Sequence, residues 1–210
     1  IGSLIIGCLG ALLQKKIKRF IAYTSINQIG FLLLGLSFNT FNSFWATILH
    51  LLIYIVMSFG LFSFLLGVTD NFDQNCIRYI LDLSFFGKSH PILGWYLTIL
   101  LFSMAGIPPL GGFFGKYFIL LSGVESNSIF LVVLALFFNI ISTFYYIRLI
   151  KIIWFGSSAK IKDLTPFYFD KHWVFFTILN FSSLFIISLI FFLPSLINLS
   201  ISLIEKIIIC

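Results

Sequence analysis

The chemistry open to this chain is concentrated on one lysine. Lys116 is the only charge between Lys88 and Glu125, and it lies in the apolar run Ile92–Gly123, 32 residues long. Upstream of it the run is interrupted by Gly106-Ile107-Pro108-Pro109-Leu110-Gly111-Gly112. Pro108 and Pro109 remove two backbone donors and clash with the preceding turn, while Gly106, Gly111 and Gly112 loosen their surroundings. In hydrocarbon such a break survives only where protein or a water-filled cavity satisfies the freed backbone groups. Low-dielectric surroundings favour the neutral form of an amine, so a lysine beside the break can load and release a proton. The bland alternative is a lysine that snorkels to the headgroups, since Ser122 is six residues on, about 9 Å at helical rise. The break upstream and the exit loop, which has no other lysine or arginine, favour a buried, functional Lys116.

Around this lysine stand weaker candidates. His50 and Tyr54 are one helical turn apart on the same face. A histidine, with its ordinary pKa near ~6.5, suits a proton relay, whereas the structural alternative is a neutral ring bonded to a backbone or hydroxyl group. Asn139, Ser142 and Thr143 read as interhelical packing, and Tyr23, Asn27 and Gln28 as packing near the interface. The sequence has no GxGxxG and no P-loop, and no nucleophile with its base. Cys8, Cys76 and Cys210 are scattered, without CxxC or a histidine at ligand spacing, which points away from a metal or iron–sulfur site. No covalent chemistry, cofactor or metal is expected on this chain. Nucleic-acid binding is excluded by the lack of a basic face with reading or stacking elements.

The elements that must position Lys116 follow from composition. Of 210 residues, 60% are hydrophobic and 10% charged, with a mean hydropathy of +1.11. A soluble domain of this size cannot hide that much apolar surface, so an all-α polytopic membrane protein is expected; alternating strands of a membrane barrel are absent. About six transmembrane helices are expected. Ile1–Leu13 is short, Phe20–Leu36 and Phe44–Gly67 are full spans, and Ile92–Gly123 is the broken one. Ile129–Trp154 is the fifth, and Trp173–Leu193 the sixth, stopped by Pro194 and followed by an apolar tail to residue 210. Residues 76–87 are expected to lie flat as a short interfacial helix.

Basic residues set the orientation. Lys15, Lys16, Lys18 and Arg19 follow the first span, Arg78 and Lys88 lie in Val68–His90, and five more run from Arg148 to Lys171. The alternate loops hold only Lys206. The basic loops, including the polar loop 156–172, therefore face the negative compartment. That is the matrix for a mitochondrial inner-membrane protein, or the cytoplasm for one of a bacterial plasma membrane. The chain opens on Ile inside an apolar run, as a fragment or a non-AUG start would; 28 Phe with abundant Ile, Leu and Asn suit an AT-rich organelle genome.

Three stretches carry a resemblance. KKIKRFIAYTSINQIGFLLLGL resembles the segment joining the ninth and tenth spans of the antiporter-like subunits of proton-pumping NADH dehydrogenase, respiratory complex I. SMAGIPPLGGFFGKYFIL resembles their broken twelfth span, with the central ionisable residue falling on Lys116. GGFFGKYFIL and FFNIISTFYYIRLIKIIWF are most similar to the subunit 2 branch. The resemblance covers nearly the whole chain, in order, as spans nine to fourteen. It implies that residues 1–155 form the second five-helix inverted repeat of the antiporter-like fold, with one extra helix in 173–210.

By that resemblance the chain is a non-redox membrane-arm subunit of an NADH:ubiquinone oxidoreductase, contributing the exit-side part of a proton path centred on Lys116, with His50 and Tyr54 as relay groups. Flavin and iron–sulfur clusters are expected on partner subunits. Another chain is expected to supply the missing first repeat. The alternative is a subunit of a secondary cation/proton antiporter without a redox partner.

Overall fold

The computed structural model describes residues 1–67, 79–84, 86–156 and 173–209. Among the described residues eight α-helices follow in order: α1 (Gly2–Leu13), α2 (Ile17–Ser37), α3 (Phe41–Gly67), α4 (Phe86–Ser89), α5 (Pro91–Ala105), α6 (Gly111–Glu125), α7 (Ile129–Phe155) and α8 (Trp173–Ile209). Four of them, in α2, α3, α7 and α8, are long and apolar enough to cross a membrane. The pair α5 and α6, of 15 residues each, forms the broken crossing. Apolar α1, at 12 residues too short for a full crossing by itself, completes the six membrane elements expected. Helices are the physical solution here because a spanning segment must satisfy its backbone groups internally.

The bundle differs from a soluble protein in its apolar outer surface, with polar groups drawn inside. Phe130, Phe137, Phe144, Phe155, Phe181 and Phe191 turn outward, while Thr24, Asn27, Gln28, His50, Ser103, Lys116 and Ser142 are buried. Two apolar clusters fill the rest of the interior. The larger joins α3, α5, α7 and α8 through Met57, Leu100, Tyr146, Ile153 and Leu189. The smaller sits around Leu34, Phe38, Ile119 and Val132.

Two boundaries differ from expectation for local reasons. Helix α2 starts at Ile17, inside the basic run, so Asn27 and Gln28 lie a turn deeper than a start at Phe20 implied. Helix α8 runs through Pro194 to Ile209 instead of stopping. A single proline costs one intrahelical bond, which a membrane helix packed on neighbours tolerates. At 37 residues α8 is about 55 Å long, well beyond the ~30 Å hydrocarbon layer.

Of the expected interfacial helix, the described part is a 3-10 turn at Ile80–Leu83 and the start of α4. The Tyr79 amide donates to the Asp82 carboxylate at 2.8 Å to open that turn, and Ile80 N–H bonds Lys15 O at 2.9 Å, tying the turn to the basic run. Asp70, Asp73, Cys76 and Arg78 of the Val68–His90 connector, nearly all of the loop 156–172, and Cys210 lie outside the described residues.

Candidate functional site

The broken crossing builds the site. Helix α5 ends at Ala105, and Gly106 caps it with φ 81°, in the left-handed region that glycine adopts without cost. Residues 107–110 turn the chain, and Gly111 and Gly112 form the first turn of α6 rather than part of the gap. Gly112 N–H donates to Ser103 Oγ at 3.0 Å, and a Cβ at Gly112 would sit 1.9 Å from Ser103 O. Only a glycine lets α6 come this close to the end of α5.

That approach brings Lys116, 3% exposed, onto the end of α5. Its ammonium donates to Met104 O at 2.8 Å, to Ala105 O at 3.5 Å and to Asn139 Oδ1 of α7 at 2.9 Å. The last four carbonyls of a helix have no intrahelical partner; here Phe102 O and Ser103 O are taken by the N–H groups of the Gly106 turn. Met104 O and Ala105 O are left for the lysine. The Phe31 ring stands 5.1 Å from Lys116 Nζ, a cation–π distance. All the acceptors are uncharged, so the ammonium is held by the negative end of a helix dipole and an amide oxygen. Each short charge-assisted bond is worth about 1.5–3 kcal/mol.

His50 is fully buried against the Gly115 backbone, and neither of its ring nitrogens has a hydrogen-bond partner. The bond to a backbone or hydroxyl group that the structural alternative called for is therefore not formed. Its ring meets Phe31 edge-on at 6.4 Å, so His50, Phe31 and Lys116 share one pocket of α2, α3 and α6. Tyr54 is half-buried one turn further along α3, beside Ser25. The structure thus brings His50 to the lysine and leaves Tyr54 a turn away.

Three residues read as packing belong to the site. Asn139 supplies one of the three oxygens around Lys116, and Ser142 backs it with a 3.4 Å contact to the same Oδ1. Gln28 Nε2 donates to Met104 O at 3.1 Å, the same carbonyl that accepts from Lys116. The signal for Asn139 was available: it is the one side-chain amide among the 27 residues of α7. Beyond Gln28, Asn27 Nδ2 donates to the Tyr145 hydroxyl at 3.3 Å.

A family model described as NADH:quinone oxidoreductase/Mrp antiporter, transmembrane, matches residues 1–142. NADH-quinone oxidoreductase subunit N of Pelagibacter ubique is 40% identical over 163 residues, covering 78% of this chain and 34% of that protein. NADH-ubiquinone oxidoreductase chain 2 of Marchantia polymorpha is 38% identical over 157 residues, 75% of this chain and 31% of that one. The chain thus spans about a third of the length of these relatives. Among solved structures, a chain of respiratory complex I from Thermus thermophilus with bound aureothin matches with a TM-score of 0.76 at 26% identity. That likeness covers 93% of this chain and 43% of the other.

Proposed function

The chain belongs to the NADH:quinone oxidoreductase/Mrp antiporter transmembrane family, and from that premise we propose that it works in the membrane arm of a proton-translocating NADH:quinone oxidoreductase. In this reading Lys116 takes up and releases the translocated proton, and electrons move on other subunits that carry flavin and iron–sulfur clusters. A further membrane segment contributes the half of the path that this chain lacks.

The observation that carries the reading is the seat of the Lys116 ammonium on the carbonyls that end α5. The charge is favoured by the α5 dipole and its three oxygens, and opposed by removal from water. A lysine balanced between such opposing effects changes protonation when a neighbouring charge moves. A shift of two pKa units is worth about 2.7 kcal/mol, comparable with the work of moving one charge against ~100 mV. His50, beside it and without a bond of its own, is a second titratable group in the reading.

The test is Lys116→Ala in the assembled, vesicle-reconstituted complex. Proton translocation is expected to fall while the redox subunits remain bound, and normal pumping by that variant would refute the reading. An assembly purified through this chain without flavin or iron–sulfur clusters would redirect it to a secondary cation/proton antiporter.

A further inference from the structure

Two kinds of group meet the Lys116 ammonium. The first are the oxygens of Met104, Ala105 and Asn139, at 2.8, 3.5 and 2.9 Å. The second is a ring. Lys116 Nζ stands over Phe31, 5.1 Å from its centroid and inside the roughly 6 Å at which a cation and an aromatic face attract. Phe31 is fully buried on α2 and Lys116 nearly so, so little water screens the contact.

The two kinds differ in what they can tell apart. A carbonyl or amide oxygen accepts a hydrogen bond from an ammonium and, more weakly, from a neutral amine. The face of an aromatic ring is the negative side of its quadrupole, and it attracts a positive charge far more than a neutral amine. The oxygens therefore fix where the nitrogen sits, while the ring responds to whether that nitrogen is charged.

Spacing along α2 places the ring. Gln28 and Phe31 are three residues apart and so share a helix face. Gln28 Nε2 donates to Met104 O at 3.1 Å, the carbonyl that Lys116 also uses. That bond docks α2 on the end of α5, and one turn further along the same face Phe31 comes against the ammonium. His50 of α3 meets the ring edge-on at 6.4 Å and supports it from a third helix. Phe31 also fills space in the apolar cluster of Leu4, Leu34 and Ile119. Any apolar side chain of its volume would serve that second purpose.

We propose that Phe31 is a positioning residue for proton loading: the face of its ring holds Lys116, in its charged form, against the end of α5. The inference rests on Lys116 being the proton-loading group. Phe31 itself exchanges no proton. Its attraction is present while the nitrogen carries the proton and nearly absent once the proton has left, so the ring weights the balance between the loaded and the empty lysine. A desolvated cation–π contact is worth roughly tenfold in such a balance.

The experiment replaces Phe31 by phenylalanine carrying one, two or three ring fluorines in the assembled, vesicle-reconstituted complex. It reads protons translocated per NADH oxidised across a range of pH. Fluorine withdraws electron density from the ring face and weakens its attraction for a cation stepwise, while shape and apolarity hardly change. The outcome therefore does not depend on the chain tolerating a smaller side chain. On the alkaline side, where loading limits, translocation is expected to fall off about one pH unit lower in the trifluoro form, the equivalent of the tenfold change. The mono- and difluoro forms are expected in between. A profile that fluorine leaves in place or moves the other way, with pumping lost in Lys116→Ala, overturns the role of the ring and leaves the lysine's standing. Normal pumping in Lys116→Ala overturns both.

Discussion

Alanine at Gly112 tests whether the close approach of α6 to α5 is what holds the lysine. The new Cβ would fall 1.9 Å from Ser103 O and 2.7 Å from Ser103 C. An ordinary carbon–oxygen contact is about 3.3 Å, so the shortfall is roughly 1.4 Å. Both opposing atoms are backbone, and no side-chain end can swing aside. If the helices separate by that amount, the 2.8 Å bond from Lys116 to Met104 O stretches to roughly 4.2 Å, outside hydrogen-bond range. Overpacking costs about 1–3 kcal/mol, and the lost charge-assisted bond about 1.5–3 kcal/mol more.

Misplacing a reacting group by about 1 Å can cost on the order of 100-fold in rate. Gly112→Ala is therefore expected to lower the thermal midpoint of the assembled complex and to slow proton translocation by one to two orders of magnitude. Gly2→Ala is the matched control, because a Cβ there meets nothing within 4 Å. Equal midpoints and equal translocation rates for the two alanines would refute the reasoning.

Three further outcomes follow from the same geometry. Lys116→Arg should keep part of the translocation that Lys116→Ala loses, because it retains a charge near the α5 carbonyls; equal rates for the two variants would count against a role for that charge. Asn139→Leu, which removes the 2.9 Å acceptor, should slow translocation roughly tenfold or more, the equivalent of one charge-assisted bond, with assembly on native gels unchanged. Gly106→Ala places a side chain at φ 81° and 3.2 Å from Lys116 Cδ; a stability loss of about 1–2 kcal/mol is expected, and less for Gly106→Asn, which the left-handed region tolerates, as read from thermal midpoints.

Much of the architecture was legible because it depends on run length and composition. Apolar stretches of span length, a proline–glycine interruption and the uneven distribution of Lys and Arg each carry their meaning within a short window. The position of Lys116 was legible for the same reason. Its partners were not, since they depend on how helices rotate against each other. Asn139 and Lys116 are 23 residues apart, and helical periodicity alone does not say which face of α7 meets α6. Gln28 was read as shallow because α2 was expected to start at Phe20. The three-residue difference at Ile17 carries it a turn further inward. Pro194 misled in a different way: a strong helix breaker in water is a mild perturbation where neighbouring helices support the chain on both sides of it.

The apolar cluster around Phe38, Ile119 and Val132 has an electrical consequence. Where water enters a membrane protein from one side only, the voltage drops mainly across the unhydrated remainder. With that cluster as an insulating layer beside Lys116, a proton crossing it would bear a large part of the ~2.3 kcal/mol per 100 mV. Voltage sensitivity would accordingly reside in whichever transfer step crosses the cluster, and a polar side chain in place of Ala46 or Val132 would lower that step's share of it.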